Sequence, residues 1–112
     1  MKLITSDIQQ ALTQNHGKEL RDIQPVMRLF AIWSSNTMLV ISMEPDGDTL
    51  MAICDLSVGH VEYGPVSLRE IVSITGPGGL KIERDQYWAP EHDAQTYLEN
   101  GRAANRLVPK LK

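Results

Sequence analysis

The residues best placed for chemistry are Glu83, Arg84 and Asp85, with Tyr87 and Trp88 close behind. In an extended chain alternate side chains share a face, so Glu83 and Asp85 point the same way and can share a metal ion or a proton. A structural reading explains the same charges: Arg84 pairs with an acid on a neighbouring strand while Trp88 closes the core. A second acidic group, Glu44, Asp46, Asp48 and Asp55, lies around one tight turn. A calcium loop needs oxygen ligands at alternating positions across about twelve residues, ending in a bidentate glutamate, and this loop is too short. As a magnesium-nuclease site it is weak as well, because Asp46 and Asp48 stand at a tip where nothing excludes water. His16, His60 and His92 show no HExxH-type pairing, so zinc would require three distant segments to converge. His92, near an expected helix start, is expected at the surface.

Cys54 has no disulfide partner in the chain and reads as a small buried hydrophobe beside Ala52 and Leu56. There is no GxSxG elbow and no CxxC pair. The loop Thr75-Gly76-Pro77-Gly78-Gly79 lacks the lysine of a P-loop and the glycine spacing of a dinucleotide fingerprint, and it reads as a flexible connector. No cofactor or metal is expected, and the missing catalytic spacings point away from an enzyme.

The elements that must position these residues centre on Thr37 to Leu56, two apolar runs joined by a turn at Asp46-Gly47, with Pro45 fixing φ at its entry. With Glu44 facing Thr49, Met38, Val40 and Ser42 share one face of the first run, and Leu39, Ile41 and Met43 the other. Both faces are largely apolar, so the strand is expected to be covered on two sides, with helices on at least one. Upstream, Ser6 and Gln9 have capping-box spacing for a helix from about Asp7 to Asn15 with Ile8, Ala11 and Leu12 inward and Gly17 as the stop. Leu20 and Ile23 suggest one more helical turn before Pro25. Val26 to Trp33 reads as a strand, in which Arg28 is an edge or salt-bridged residue, and His60 to Pro65 reads as another. Ser67 and Glu70, with Val66 and Ile71 as a hydrophobic staple, predict a helix from Leu68 to about Ser73. Leu80 to Arg84 alternates like a strand. Pro90, Glu91 and Asp93 open a last helix with Ala94, Tyr97 and Leu98 inward, closed by Asn100-Gly101. The expected architecture is α+β: a mainly antiparallel sheet of four or five strands with two or three short helices.

At 112 residues, with 42% apolar and 22% charged residues, the chain fits one globular domain. That domain is expected over residues 1–101, followed by a basic tail, 102–112, which carries Arg102, Arg106, Lys110 and Lys112 and no acid. Net charge is −3, so removing the tail's four positive charges leaves −7 on the body. An acidic body disfavours a broad phosphate-tracking surface, whereas the tail offers a separate nucleic-acid contact. No apolar stretch approaches membrane-spanning length, and the early Asp7 with no apolar run after it argues against a signal peptide. A cytoplasmic protein is expected.

The order DGD, Gly59, EYGPVSLREI and GLKIERDQYWAP resembles the small bacterial family catalogued as domain of unknown function twenty-nine fifty-eight. The likeness covers roughly residues 37 to 90, and the IERD segment, Ile82 to Asp85, is its distinctive part. The resemblance implies an accessory protein of a mobile element and no known reaction; antagonists of host defence are one class of such proteins. The expected function is therefore non-catalytic binding to a host or element-encoded protein. Asp46, Asp48, Glu83, Arg84, Asp85, Tyr87 and Trp88 are the candidate binding residues. The alternative is a nucleic-acid-associated enzyme or binder using Glu83-Arg84-Asp85 and the basic tail. A homodimer joined through an exposed sheet edge is a third reading.

Overall fold

The computed structural model describes residues 2–107. Its centre is the expected hairpin. Strands β1 (Met27–Phe30), β2 (Thr37–Met43), β3 (Thr49–Asp55) and β4 (Val61–Ser67) run as an antiparallel meander. A short β5 (Glu83–Arg84) adds antiparallel to β1, which gives a five-stranded sheet in the order β4-β3-β2-β1-β5. Helices α1 (Ser6–Asn15), α2 (Leu68–Ser73) and α3 (Ala94–Ala104) complete an α+β fold. At the hairpin tip Glu44 N–H donates to Thr49 O at 2.8 Å, and Gly47 takes the positive φ of 73° that the turn requires.

Both faces of the sheet are covered, each by its own apolar cluster. Leu12 of α1 and Ile71 of α2 pack with Met27, Leu29, Val40 and Leu50 on one face. Ala94, Tyr97 and Leu98 of α3 pack with Leu39, Ile41, Ile53 and Val61 on the other. The face assignment of Met43 needs correction. The β2–β3 register slips between Val40 and Ser42, so an extra residue opposes the partner strand, and Met43 joins Met38 and Val40 rather than Leu39 and Ile41. A bulge of this kind leaves a backbone group without its ladder partner. Asn15 at the end of α1 supplies one: its Nδ2 donates to Ile41 O at 2.9 Å.

Helix boundaries moved where a better cap stood nearby. Thr5, not Ser6, caps α1, with its hydroxyl accepting from Ile8 N–H at 3.3 Å. Helix α2 runs Leu68–Ser73 as expected, with Ser67 Oγ accepting from Glu70 N–H at 3.2 Å. Helix α3 starts at Ala94 rather than Pro90, because Asp93 is in extended conformation and its carboxylate accepts from Thr96 N–H at 2.8 Å. It also runs through Gly101 to Ala104, where Asn105 takes the left-handed stop. Gly101 has a different use: a Cβ there would lie 3.1 Å from Val61 Cγ1 and 3.2 Å from Leu107 Cδ2, so the missing side chain lets α3 settle on β4. Beyond the helix, Leu107 is buried and its N–H donates to Asp55 Oδ2 at 2.9 Å. Two strands are shorter than expected, Met27–Phe30 within 26–33 and Glu83–Arg84 within 80–84. The glycine loop is a 3₁₀ turn over Pro77–Gly79, with Gly76 N–H donating to Leu80 O at 2.7 Å.

Candidate functional site

β5 is a sheet edge two residues long, and together with the turn after it carries five of the seven candidate binding residues. Glu83, Arg84, Asp85, Gln86 and Tyr87 line one shallow depression of about 240 Å³, floored by Phe30 of β1. Register explains the grouping. Glu83 pairs with Phe30 and Arg84 with Leu29, and Asp85 N–H continues the ladder by donating to Arg28 O at 2.9 Å.

The charges are arranged differently from expectation. The ion pair forms between Arg28 and Asp85, with Nη1 3.0 Å from Oδ2 and both side chains about three-quarters buried, at 22% and 25% exposure. Arg28 Nε also donates to Thr37 Oγ1 at 3.0 Å, and its guanidinium lies 4.8 Å from the centre of the Phe30 ring. Asp85 Oδ1 accepts from Tyr87 N–H at 3.0 Å, which folds the turn. Arg84, expected to meet an acid, instead donates to the backbone oxygens of Leu3 (2.8 Å) and Lys2 (3.3 Å), pinning the N-terminal segment to the edge strand. The salt-bridged reading of Arg28 is correct, although its strand is internal to the sheet. Trp88 turns from the depression into the core, 6.2 Å from the Tyr97 ring. Tyr87 does the opposite and stands 92% exposed.

The hairpin acids Asp46 and Asp48 are not part of this depression. Asp46 accepts from Thr49 Oγ1 (2.6 Å) and from the N–H groups of Asp48 and Thr49 (2.8 Å each). The Thr49 hydroxyl and then those two N–H groups hold its carboxyl below the ordinary carboxylate pKa. Asp48 reaches the start of α2, accepting from Arg69 N–H and Ser67 Oγ at 2.8 Å each, and these bonds lower its pKa likewise. Both acids thereby serve the turn and the helix cap. Arg102 and Arg106 are exposed on and just after α3, while Lys110 and Lys112 lie outside the described residues.

Cys54 is half-buried among apolar neighbours, and burial pushes its thiol pKa up to about 11. That is the opposite of an activated nucleophile. His16 contacts Glu44 at 2.8 Å and His60 contacts Glu62 at 3.0 Å. His92 departs from its expected exposure: its ring packs edge-on against Tyr97 at 5.3 Å, and its Nε2 is buried. Among the described residues, no cluster of three or more His, Cys, Asp and Glu is arranged to hold a metal ion. No helix among them is long and apolar enough to cross a membrane.

A family model described as a protein of unknown function, DUF2958, matches residues 3–108. The chain belongs to the DUF2958 family. The match extends the resemblance seen in the IERD segment to nearly the whole length, so the core and the edge ledge both fall within the family domain. No curated protein and no solved structure matches the chain. The sequence missed Arg28 and Phe30 as members of the ledge. The only signal for them was an arginine inside an apolar strand, which calls for a buried partner.

Proposed function

We propose that this DUF2958 protein is a non-catalytic binding module that holds a protein partner on the β5 ledge, with Tyr87 as the anchor. The observation that carries the reading is the contrast within one turn. Trp88 is packed inward, whereas its neighbour Tyr87 stands 92% exposed beside a depression floored by Phe30. Isolated surface aromatics are common, but an exposed tyrosine next to a partly apolar hollow and beside charged groups has the composition of an interface anchor. The ledge's charged groups also fit binding better than catalysis. Asp85 is held by Arg28 and by Tyr87 N–H, and Arg84 by backbone oxygens, so neither is a free base or electrophile.

The partner in this reading is a host or element-encoded protein, in keeping with the mobile-element setting that the family resemblance implies. An antagonist of host defence is one role such a module would fill. An acidic body adds attraction toward a basic partner, in which case binding weakens as salt rises. The test is affinity capture from bacterial lysate with the full chain, with Tyr87→Ala, and with Arg102, Arg106, Lys110 and Lys112 all changed to Gln, each with and without nuclease. The expected result is one protein retained through nuclease and through loss of the four cations, and released by Tyr87→Ala. Recovery that collapses with nuclease or with the Gln variant would move the function to nucleic acid.

A further inference from the structure

A second surface lies away from the ledge, on the face of the sheet that α1 and α2 share. Helix α1 lies over β2, and α2 has six residues, so the region between α2 and the end of β3 is left open. The result is a trough of about 470 Å³ lined by Met38, Leu56, Val66, Ile71 and Ile74, with Glu70 on its rim. A smaller hollow of about 70 Å³ shares Met38, Leu56 and Ile74 and carries the cleft on toward Leu29 and Ile82. Leu56 and Ile74 on this cleft are 49% and 42% exposed, although both are large aliphatic residues.

Charge narrows what can lie there. Glu70 is the charged residue among those lining the trough. Glu62, across from Cys54 on the same face of the sheet, adds an exposed acid on the β4 side beyond the trough's own lining, with one oxygen 3.0 Å from His60 Nε2. The nearby cation Lys81 is turned onto Thr75 Oγ1 at 2.7 Å. An elongated apolar cleft with an acidic rim accepts a segment that is apolar on one side and basic on the other. A helix meets that demand by carrying both on opposite faces.

We infer that this trough is a docking groove for an amphipathic, lysine- or arginine-bearing helix of a partner protein. Strand addition at the neighbouring β4 edge is disfavoured, since Pro65 removes one of that edge's donors. Gly64 offers a clean block. It lies two residues from Val66 on the same face of β4, and a Cβ there would meet nothing within 4 Å. The groove does not depend on the ledge, so the two can fail separately.

The experiment is an NMR titration of the isotope-labelled full chain with a model helix of leucine and lysine, about fourteen residues long. A counterpart with glutamate in place of lysine serves as control. Saturable shifts at Leu56, Val66, Ile71 and Ile74 with the lysine peptide alone are expected. Gly64→Leu and Ile74→Glu, each first checked to retain the native amide pattern, are expected to weaken binding about tenfold or more. Tyr87→Ala is expected to leave it unchanged. Equal binding of the glutamate peptide, shifts elsewhere, or indifference to both groove variants would overturn the inference. So would self-association abolished by Ile74→Glu, which would assign the trough to a second copy of this chain.

Discussion

The Arg28–Asp85 pair decides whether the conspicuous acid-and-base segment is structural, and a double-mutant cycle measures it. Asp85→Asn removes the charge but keeps an oxygen for Tyr87 N–H, while Arg28→Met keeps an aliphatic stem over Phe30 and loses the guanidinium. Exposed ion pairs are worth about 0.2–1 kcal/mol. Removing one partner of a fully buried pair costs about 3–5 kcal/mol. With exposures of 22% and 25% and a separation of 3.0 Å, this pair falls between those limits. A coupling of about 1–2 kcal/mol is therefore expected. Arg28→Met should be the more costly single change, because the bond to Thr37 Oγ1 and the contact with the ring are lost with the pair. Urea unfolding at 25 °C of the four proteins gives the coupling directly, since a domain of this size has an m-value of about 1–3 kcal/mol/M. Additivity within about 0.3 kcal/mol would refute the clamp and return Asp85 to the pool of free carboxylates.

Three further outcomes follow from the same contacts. Gly76→Ala should destabilise the fold by about 1–3 kcal/mol, because its Cβ would lie 2.5–2.7 Å from the fused-ring atoms of Trp33; unchanged thermal unfolding with unchanged tryptophan fluorescence would contradict that packing. With its pKa near 11 against an ordinary 9.0, the Cys54 thiol should react with iodoacetamide at pH 8 about 100-fold more slowly than an unhindered cysteine. Asp46, Asp48 and Asp93 have folded pKa values below the ordinary 3.8, so the unfolded chain binds more protons in that range. Their contribution is present above about pH 4 and disappears as pH falls through the folded values, and Asp48→Asn should flatten the acid limb of a stability–pH curve.

Much of the architecture was readable because local signals agreed with one another. The Asp46-Gly47 turn, the two apolar runs it joins and the Ser67/Glu70 cap with its Val66/Ile71 staple each specified one local structure, and the fold kept all three. Where two signals competed, the sequence alone did not rank them. Pro90 suits the first turn of a helix, but Asp93 satisfies two donors of Thr96 and so sets the start. Gly101 resembles a helix stop, but close approach to Val61 uses it first, and Asn105 ends the helix. The Ile41 bulge was invisible for another reason: it is stabilised by Asn15, 26 residues away, and no local pattern announces such a bond. For the ledge, the sequence indicated which residues gather, since five consecutive positions must. It did not indicate that Asp85 would be taken by Arg28, which is 57 residues distant. The trough had no periodic signature at all, because it arises from the shortness of α2 and from aliphatic residues just beyond strand and helix ends, Leu56 and Ile74.

The most direct test of the binding proposal is photo-crosslinking from the anchor itself. Benzoylphenylalanine is introduced at position 87 in the full chain, expressed in a bacterial host and irradiated in living cells. The account predicts one discrete protein adduct that survives nuclease digestion and is lost when the photoreactive group is moved to the inward-packed, half-buried position 88. Adducts that disappear with nuclease, or an irradiated chain that remains free at every expression level, would contradict a protein partner at the β5 ledge.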